Sequence, residues 1–314
     1  MRQPVRTIGL IGAGTVGAGW ATFFATKGFD VKLYDANPEQ TRKGRQQAEA
    51  QIKYLYANKL TPEGVSPEEI LARITLADSL EDAASGADFI HESTIEDYDV
   101  KKAVFAELDK ATDSDVVLAS SSSGLLMSEI QKATTKPERC LIAHPFNPPY
   151  LVPLVELVPG IATSIETMEA AKRFFESLGK TPVVLNREAP GHIANRLAAA
   201  LWREAIDLVI TGVTSVEDVD KALSAGPGLR WAFMGQHLTY HLGGGQGGLA
   251  AFIDHLAPAV EMWWRDLANW TTFPPEAKEQ LLAGVEAEMA GRDMSEVMRW
   301  RDEKLIKVLK AVRD

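Results

Sequence analysis

The first half of the chain alternates between short apolar runs and segments with helical spacing. Residues 7–11 (TIGLI) form an apolar run that ends at a glycine, residues 16–26 repeat apolar positions at helical intervals, and residues 30–34 form a second apolar run. This order predicts a β-α-β unit. Further strands are predicted at 74–76, 87–90, 116–119 and 141–143, and further helices at 39–60 and 99–111. Because strands alternate with helices, the pattern indicates an α/β domain whose sheet is mostly parallel.

The pattern changes in the second half of the chain. After an extended, proline-rich segment that begins near Pro145, a helix is predicted at 166–178 and a last strand at 182–185. Beyond Pro190 the apolar positions follow only helical spacing, in the segments 194–210, 215–223, 249–264, 275–289 and 295–312. We therefore expect two domains, an α/β domain over 1–186 and an all-α domain over 187–314.

The composition agrees with this division and argues against several classes of protein. A chain of 314 residues exceeds what one hydrophobic core usually serves, and its 46% hydrophobic residues suffice to bury a core. The net charge of -10 argues against binding to nucleic acid, which selects for clustered Lys and Arg. The one cysteine, Cys140, cannot form an intrachain disulfide, and no Cys/His spacing resembles a metal site. These features predict a cytoplasmic protein without a metal.

Two apolar stretches bear on targeting and on membranes. The N-terminal run is followed at once by glycines, where a signal peptide would continue its apolar region towards a cleavage site. Residues 231–253 contain no Asp, Glu, Lys or Arg, but they include a glycine cluster at 243–248 and two histidines. The sequence therefore predicts neither a signal peptide nor a membrane helix.

A glycine motif follows the first predicted strand. Gly12, Gly14 and Gly17 fit the pattern G-x-G-x-x-G between a strand and a helix, where glycines permit a tight turn and close approach of a pyrophosphate to the helix N-terminus. Asp35 ends the second strand, where a carboxylate would accept the ribose hydroxyls and repel a 2′-phosphate. The motif predicts a Rossmann-type domain that binds NAD. Two alternatives stay open: basic residues at 42 and 43 permit NADP, and Asp35 also fits an ordinary turn.

A base for alcohol oxidation is predicted at the edge of the sheet. An enzyme that passes a hydride to nicotinamide needs a group that takes the hydroxyl proton, and histidine titrates in the suitable range. His144 follows the apolar run 141–143, at the carboxyl end of a predicted parallel strand, where α/β proteins bind ligands. Glu156, in the extended LVELV segment, can return beside His144 and fix its tautomer. Taken singly, the alternatives are a core histidine and a surface carboxylate.

Four ordered motifs behind the glycine loop carry a family resemblance. They are SSSSGLL (120–126), AHPFNP (143–148), LVELV (154–158) and PGHIANRL (190–197). Over 8–197 the chain resembles the L-3-hydroxyacyl-CoA dehydrogenase superfamily. The resemblance implies NAD-dependent oxidation of a hydroxyl group, with His144 as the base and Glu156 as its partner, and a homodimer joined through the helical domain.

The same resemblance implies roles for further polar residues. Ser123 would contact the substrate hydroxyl with help from Ser122, and Asn195 would donate to the reacting oxygen. The residues implied to bind the cofactor are Gly12, Gly14, Thr15, Val16, Gly17, Asp35, Ser93, Glu96, Lys101 and Asn147, with Ser93 standing where the family often has alanine. The alternatives are a polar turn for the serine run, a packing amide for Asn195, and a solvated ion pair for Glu96 and Lys101.

The C-terminal half bears on the substrate. The stretch 226–267 is similar to the short, single-unit carnitine 3-dehydrogenases of this superfamily, and more distantly to its gulonate enzymes. L-Carnitine carries a quaternary ammonium, which aromatic faces bind well, and four of the seven tryptophans lie within 231–273. Arg230, beside Trp231, is a candidate clamp for the substrate carboxylate. We therefore predict NAD-dependent oxidation of L-carnitine to 3-dehydrocarnitine, with Arg230 and Trp231 as substrate residues.

Several alternatives remain for this half of the chain. Most of the aromatic rings fit a helix core or a dimer seam as well as a pocket, and Arg230 also fits a surface arginine. L-Gulonate and 3-hydroxyacyl-CoA are alternative substrates, although the segment after the second strand is shorter than the lysine-rich hairpin of acyl-CoA members. A catalytically silent, crystallin-like structural protein is the remaining alternative. The presence of Ser123, His144, Glu156 and Asn195 argues against it.

Overall fold

The computed structural model of the chain describes residues 4–313, which form two compact units. The first unit is Met1–Arg196 and the second is Leu197–Asp314. The boundary predicted at 186–187 precedes this division and lies in the connection between the last strand and the first helix of the C-terminal half.

The first unit is built on one eight-stranded sheet. The strands are β1 Thr7–Ile11, β2 Asp30–Tyr34, β3 Ile74–Leu76, β4 Phe89–Glu92, β5 Val117–Ser120, β6 Cys140–Pro145, β7 Leu154–Pro159 and β8 Thr181–Val184. Their order across the sheet is β3-β2-β1-β4-β5-β6-β7-β8. Neighbouring strands are parallel except β6 and β7, which are antiparallel. The predicted α/β, mostly parallel Rossmann-type fold is therefore confirmed.

Helices cover both faces of this sheet. They are α1 Thr15–Thr26, α2 Pro38–Ala57, α3 Pro67–Ala72, α4 Leu80–Ala84, α5 Tyr98–Ala111, α6 Met127–Ile130 and α7 Ile165–Ser177. Most begin at a short polar residue whose side chain accepts from a first-turn N–H group, as Asn37 does for α2 and Asp97 for α5. Helix α1 begins instead at Gly14, without a side-chain cap, which leaves its first N–H groups open.

Two clusters of buried apolar side chains, one on each face of the sheet, pack the helices against it. Because successive strand residues point to opposite faces, Phe89 belongs to one cluster and Ile90 to the other. Trp20 and Phe175 are fully buried in the first cluster. Cys140 lies in the second, where burial raises the pKa of its thiol to about 12. The cysteine is therefore a packed thiol.

The second unit is helical. Its helices are α8 Ala194–Ile210, which begins in the first unit, α9 Val216–Ala225, α10 Pro227–Trp231, α11 Gln236–Gly243, α12 Gly248–Asp266, α13 Ala277–Met289 and α14 Met294–Arg313. The five predicted helices are present with ends shifted by up to two residues. Helices α10 and α11 were not predicted, because glycines and a proline interrupt the apolar spacing there. Within 4–313, no helix combines the length and the apolar character needed to cross a membrane.

Candidate active site

The glycine loop joins β1 to α1 at the carboxyl edge of the sheet. Gly12 has a φ of 99°, a conformation that side chains with a Cβ rarely adopt. A Cβ on Gly17 would overlap the carbonyl oxygen of Gly12, whereas a Cβ on Gly14 would meet nothing within 4 Å. The loop therefore packs tightly against the helix on one side and is open on the other. Thr15 is exposed and Val16 half-buried in the first turn of α1, where the uncapped N–H groups favour an anion.

Asp35 holds the loop from the end of β2. Its two carboxylate oxygens accept from the backbone N–H groups of Ala13 at 2.9 Å and of Asn37 at 3.0 Å. A carboxylate has about four acceptor positions, so capacity remains for the two hydroxyls of a ribose. Gly12, Gly14, Asp35 and Ser93 line a cavity of about 730 Å³. The open glycine, the uncapped helix and the carboxylate at the cavity rim together fit a dinucleotide.

His144 and Glu156 face each other across the antiparallel pair of strands. They are register partners on β6 and β7, and His144 Nδ1 lies 2.9 Å from Glu156 Oε2. Both side chains are buried, with Glu156 only 1% exposed. Glu156 Oε1 accepts from the N–H groups of Ile193 at 2.8 Å and of Ala194 at 2.9 Å. The structure therefore brings together the two residues that the sequence predicts as a base and its partner.

The surroundings of Glu156 keep its carboxyl ionised. Burial is the largest single influence and opposes ionisation, but the hydrogen bonds from His144, Ala194 and Ile193 together outweigh it and hold the pKa of Glu156 below its usual value. Because an ionised carboxylate only accepts hydrogen bonds, His144 Nδ1 carries a hydrogen and donates it to Glu156 Oε2. This leaves the lone pair of the neutral imidazole on Nε2, the nitrogen that Glu156 does not touch.

Residues 120–124, called here the serine loop, fold around Glu96. Glu96 Oε1 accepts from Ser122 Oγ at 2.7 Å, Ser123 N at 2.8 Å and Gly124 N at 3.0 Å. Burial opposes ionisation of Glu96, but these hydrogen bonds and the charge of Lys101 hold its pKa below the usual value. Ser122 is buried and its hydroxyl is engaged, whereas the Ser123 side chain is exposed. Of the two predicted serines, only Ser123 is therefore available to a substrate.

The burial of Lys101 contradicts the alternative of a solvated ion pair. Its side chain is 0% exposed, and its Nζ donates to Glu92 Oε1 at 2.8 Å and Oε2 at 3.1 Å, while the nearest oxygen of Glu96 is 3.7 Å away. Glu92 also accepts from Thr94 Oγ1 at 2.6 Å and from Ser120 Oγ at 2.5 Å. The alternative of a solvated pair is therefore wrong for Lys101. Its partner is Glu92, and the two belong to a buried network of charged and polar groups at the ends of β4 and β5.

The remaining predicted residues of the first unit lie around the same sheet edge. Asn195, in the first turn of α8, donates through Nδ2 to the carbonyl oxygen of Ser123 at 3.3 Å. Ser93 lies at the cavity wall, and its backbone carbonyl would block any side chain on Gly12. Asn147 is exposed in the turn after β6 and precedes a cis-proline. All three are positioned by the ends of strands or helices.

Three residues that make contacts in this region, His91, Ser121 and His192, were not predicted as site residues from the sequence. Ser121 Oγ lies 2.8 Å from His91 Nε2 and 2.9 Å from Ser93 Oγ, and it accepts from Trp20 Nε1 at 3.1 Å. Burial, with lesser contributions from nearby lysines, lowers the pKa of His91 to about 3, so this histidine is neutral. His192 contacts the ring of His144. Their positions after apolar strands and inside the PGHIANRL motif were the only signals in the sequence.

The predicted substrate residues of the second unit lie on α10. Arg230 and Trp231 are exposed, and Trp231 Nε1 donates to Gln236 Oε1 at 2.7 Å. Other aromatic residues of this unit pair with each other: Tyr240 and Phe252 stack with centroids 4.4 Å apart, and Trp202 and Phe273 lie 5.7 Å apart. Helix packing therefore accounts for part of the aromatic content.

Family comparison accounts for most of the chain. Residues 7–189 match the NAD-binding domain of 3-hydroxyacyl-CoA dehydrogenase, and residues 191–282 match the C-terminal domain of the same family.

The curated relatives of this chain include L-carnitine dehydrogenases. The chain is 40% identical over 309 residues to the L-carnitine dehydrogenase of Streptomyces coelicolor, covering 98% of this chain and 95% of that protein. It is 40% identical over 318 residues to that of Pseudomonas aeruginosa, covering 99% and 95%.

Solved structures show the same fold at lower identity. One neighbour is 5-formyl-3-hydroxy-2-methylpyridine 4-carboxylic acid 5-dehydrogenase, described as an NAD+-dependent dismutase. It has a TM-score of 0.81 and 28% identity, with 98% of each chain covered. Another is 3-hydroxybutyryl-CoA dehydrogenase from Escherichia coli, with a TM-score of 0.69 and 28% identity, covering 89% of this chain and 57% of that one.

Proposed function

The chain belongs to the 3-hydroxyacyl-CoA dehydrogenase family and is an NAD-dependent oxidoreductase of CH–OH groups, and we propose that its substrate is L-carnitine, which it oxidises to 3-dehydrocarnitine. The observation that carries the proposal is the near-complete coverage of L-carnitine dehydrogenases at about 40% identity, which includes the helical half of the chain. Selectivity among substrates depends on this half, because the site residues of the first unit are those expected for any 3-hydroxy acid.

His144 is the proposed general base. Glu156 accepts the Nδ1 proton of His144, so the lone pair on Nε2 is directed away from the carboxylate and takes the proton of the substrate hydroxyl. The imidazolium that forms lies 2.9 Å from an ionised carboxylate in a buried site. Charge attraction is strong there because little water screens it. Glu156 thus fixes the tautomer before the reaction and stabilises the charge during it.

Ser123 and Asn195 are the proposed contacts of the reacting oxygen. The exposed hydroxyl of Ser123 donates to the substrate, and the Nδ2 group of Asn195, held beside the serine loop, stabilises the oxygen as the carbonyl forms. Ser122 stabilises this arrangement, because its hydroxyl donates to Glu96 and so holds the serine loop in place.

NAD is held by the glycine loop and its neighbours. When bound, NAD supplies the acceptor for the hydride that leaves the carbon of the alcohol. Gly12, Gly14 and the first turn of α1 hold the pyrophosphate, and Asp35 holds the ribose hydroxyls and disfavours a 2′-phosphate. On the nicotinamide side we assign Ser93, Glu96 and Asn147 to direct contact. Lys101 acts from beneath by fixing Glu92 and the adjacent strand ends.

Arg230 and Trp231 are the proposed substrate residues of the helical unit. A guanidinium binds a carboxylate through two parallel N–H groups, and an indole face binds a quaternary ammonium. Both side chains are exposed on α10 and are available to a ligand.

A substrate panel tests this proposal. We expect NADH to form with L-carnitine and NAD, with kcat/KM at least about tenfold higher than for L-gulonate or 3-hydroxybutyryl-CoA. A difference of about this size results when a rival substrate leaves one polar group of the site without a hydrogen-bond partner. D-Carnitine is the stereochemical control and should give little NADH. Equal or faster turnover of either rival would overturn the substrate assignment, and turnover of none of the four would favour a catalytically silent protein.

The protein is further proposed to act as a homodimer joined through its helical unit. Trp263 and Trp264 are 50% and 68% exposed on α12, and Phe233 and Leu238, which precede α12 in the chain, are exposed as well. Apolar side chains concentrated in one unit favour burial against a second copy. Sedimentation at micromolar protein concentration should give twice the mass of one chain.

A further inference from the structure

His192 lies between two parts of the proposed active site and has no role in the reaction described above. It is 2% exposed, and its Nε2 lies 3.0 Å from the carbonyl oxygen of Ser122. Because a carbonyl oxygen only accepts, Nε2 must carry the hydrogen. The centroid of the His192 ring is 5.3 Å from that of His144, with the ring planes at 58°. One side chain therefore touches both the serine loop and the proposed base.

The backbone at His192 is held in an uncommon conformation. Its φ is 52°, in the left-handed region that residues with a Cβ rarely adopt. The preceding Gly191 also has a positive φ, of 74°. After this turn, the N–H groups of Ile193 and Ala194 both donate to Glu156 Oε1. The strained residue is therefore where the chain turns to hold the carboxylate partner of His144.

Packing alone does not account for an imidazole at this position. With the hydrogen on Nε2, the Nδ1 atom keeps a lone pair, and this buried atom has no hydrogen-bond partner among the described residues. An unpaired buried acceptor destabilises a fold, and a phenyl ring would fill similar space without that cost. What the imidazole adds over a phenyl ring is the Nε2–H group that binds the serine loop.

We propose that His192 is a positioning residue that sets the distance between the serine loop and the ring of His144. Its Nε2–H group holds the carbonyl of Ser122, which precedes Ser123, while its ring packs on His144. Ser123 Oγ and His144 Nε2 are thereby aligned on the same hydroxyl group. This inference rests on the proposed function only for the identity of the molecule that carries that hydroxyl.

Two substitutions separate the hydrogen bond from the ring contact. His192→Phe keeps a ring but removes the donor, and His192→Gln keeps a donor but removes the ring. For His192→Phe we expect kcat with L-carnitine to fall by up to roughly 100-fold, because small displacements of reacting groups cause losses of this size. KM and the NAD dissociation constant should change by less than about threefold. The deuterium isotope effect at C3 of the substrate should increase, and His192→Gln should recover part of kcat. His255→Phe, at an exposed position of α12, is the control.

The inference is wrong if kcat of His192→Phe stays within about twofold of the wild type, or if KM rises while kcat does not change. A substrate-independent measurement separates this failure from failure of the proposed function. In ¹⁵N spectra of the wild type, Nε2 of His192 should carry a proton that is hydrogen-bonded to the carbonyl of Ser122. A bare Nε2 would overturn the inference even where His192→Phe does not fold. If L-carnitine is not the substrate, the same variants are assayed with the alcohol that is turned over.

Discussion

The two compact units of this protein differ in how they bury their apolar side chains. In the first unit the large residues Trp20, Phe24, Phe89, Phe105 and Phe175 are fully buried against one sheet. Among the described residues of the second unit, the buried apolar side chains are Ile206, Val216, Val219, Ala277 and Ile306. The first unit thus contains its own core, whereas the second leaves most of its tryptophans and leucines accessible.

This difference separates two tasks. A fixed sheet holds the glycine loop, the His144–Glu156 pair and the serine loop at set distances, which suits a reaction that needs alignment. Exposed helices with apolar faces suit binding, whether to a second copy of the chain or to a substrate with a quaternary ammonium. We therefore expect the reaction chemistry to depend on the first unit and association to depend on the second.

The largest effect is expected from His144→Gln. Removing the proposed base should lower kcat by roughly 10⁴-fold, at the upper end for general bases, with NAD affinity and oligomeric state unchanged. Stopped-flow or steady-state formation of NADH measures the loss, and titration of NAD by protein fluorescence provides the control. Turnover close to that of the wild type would mean that another group takes the proton.

A second, smaller loss is expected from Glu156→Gln. One glutamine oxygen can still accept from Ile193 and Ala194, but its amide N–H then faces His144 Nδ1 and favours the tautomer with the hydrogen on Nε2. Since that tautomer cannot take a proton at Nε2, kcat should fall by roughly 10²- to 10³-fold. Glu169→Gln, an exposed carboxylate on α7, is the matched control.

The same substitution has a predicted pH signature in stability. The folded state holds the pKa of Glu156 below its usual value of 4.5, so the ionised carboxylate stabilises the fold above that pH, and this contribution is lost as the pH falls through the folded pKa. The difference in melting temperature between wild type and Glu156→Gln should therefore be large at pH 7 and narrow below pH 4.5. A difference that is independent of pH would contradict this account.

Cofactor binding should respond to Asp35→Ala. Loss of the carboxylate removes acceptors for the ribose and for Ala13 N, so the NAD dissociation constant should rise by roughly 10- to 100-fold, in keeping with hydrogen bonds to charged groups. Discrimination against NADP should weaken at the same time. Asp30→Ala, at the opposite end of β2, should leave both affinities unchanged.

The second unit is tested by replacing Trp263 and Trp264 together with serine. If these exposed rings join two copies, the dissociation constant of the dimer should rise by roughly 30-fold, the scale of one buried aromatic anchor. Sedimentation velocity over a dilution series measures this change. Arg265→Ser, the next and more exposed position on α12, is the control. An unchanged dimer would place association elsewhere on the chain.

The sequence predicted most of the fold and much of the site, for reasons that differ between residues. Strands such as β1 and β2 were predicted to the residue, because an apolar run bounded by glycine or aspartate is a local signal. Helix α11 was missed because it is only eight residues long and glycines bound it at both ends. Asp35 and His144 were found because both stand at the carboxyl end of a parallel strand, which is the edge of the sheet where ligands bind.

Other parts of the site depend on contacts between distant segments and could not be predicted locally. Glu92 is the last residue of a buried strand, and nothing in FIHE distinguishes a core residue from the partner of Lys101. The position of His192 in the sequence likewise does not indicate how close its side chain lies to the serine loop. Such contacts follow from the packing of the elements, which the local pattern does not determine.

The antiparallel ladder of β6 and β7 has a consequence for how this enzyme can change length. His144 and Glu156 are opposite each other by register, and one residue inserted within either strand would turn the side chains beyond it to the other face of the sheet. An insertion in the connecting turn, over 146–153, leaves the register intact. A change of length between His144 and Glu156 is therefore compatible with their pairing in that turn but not within either strand.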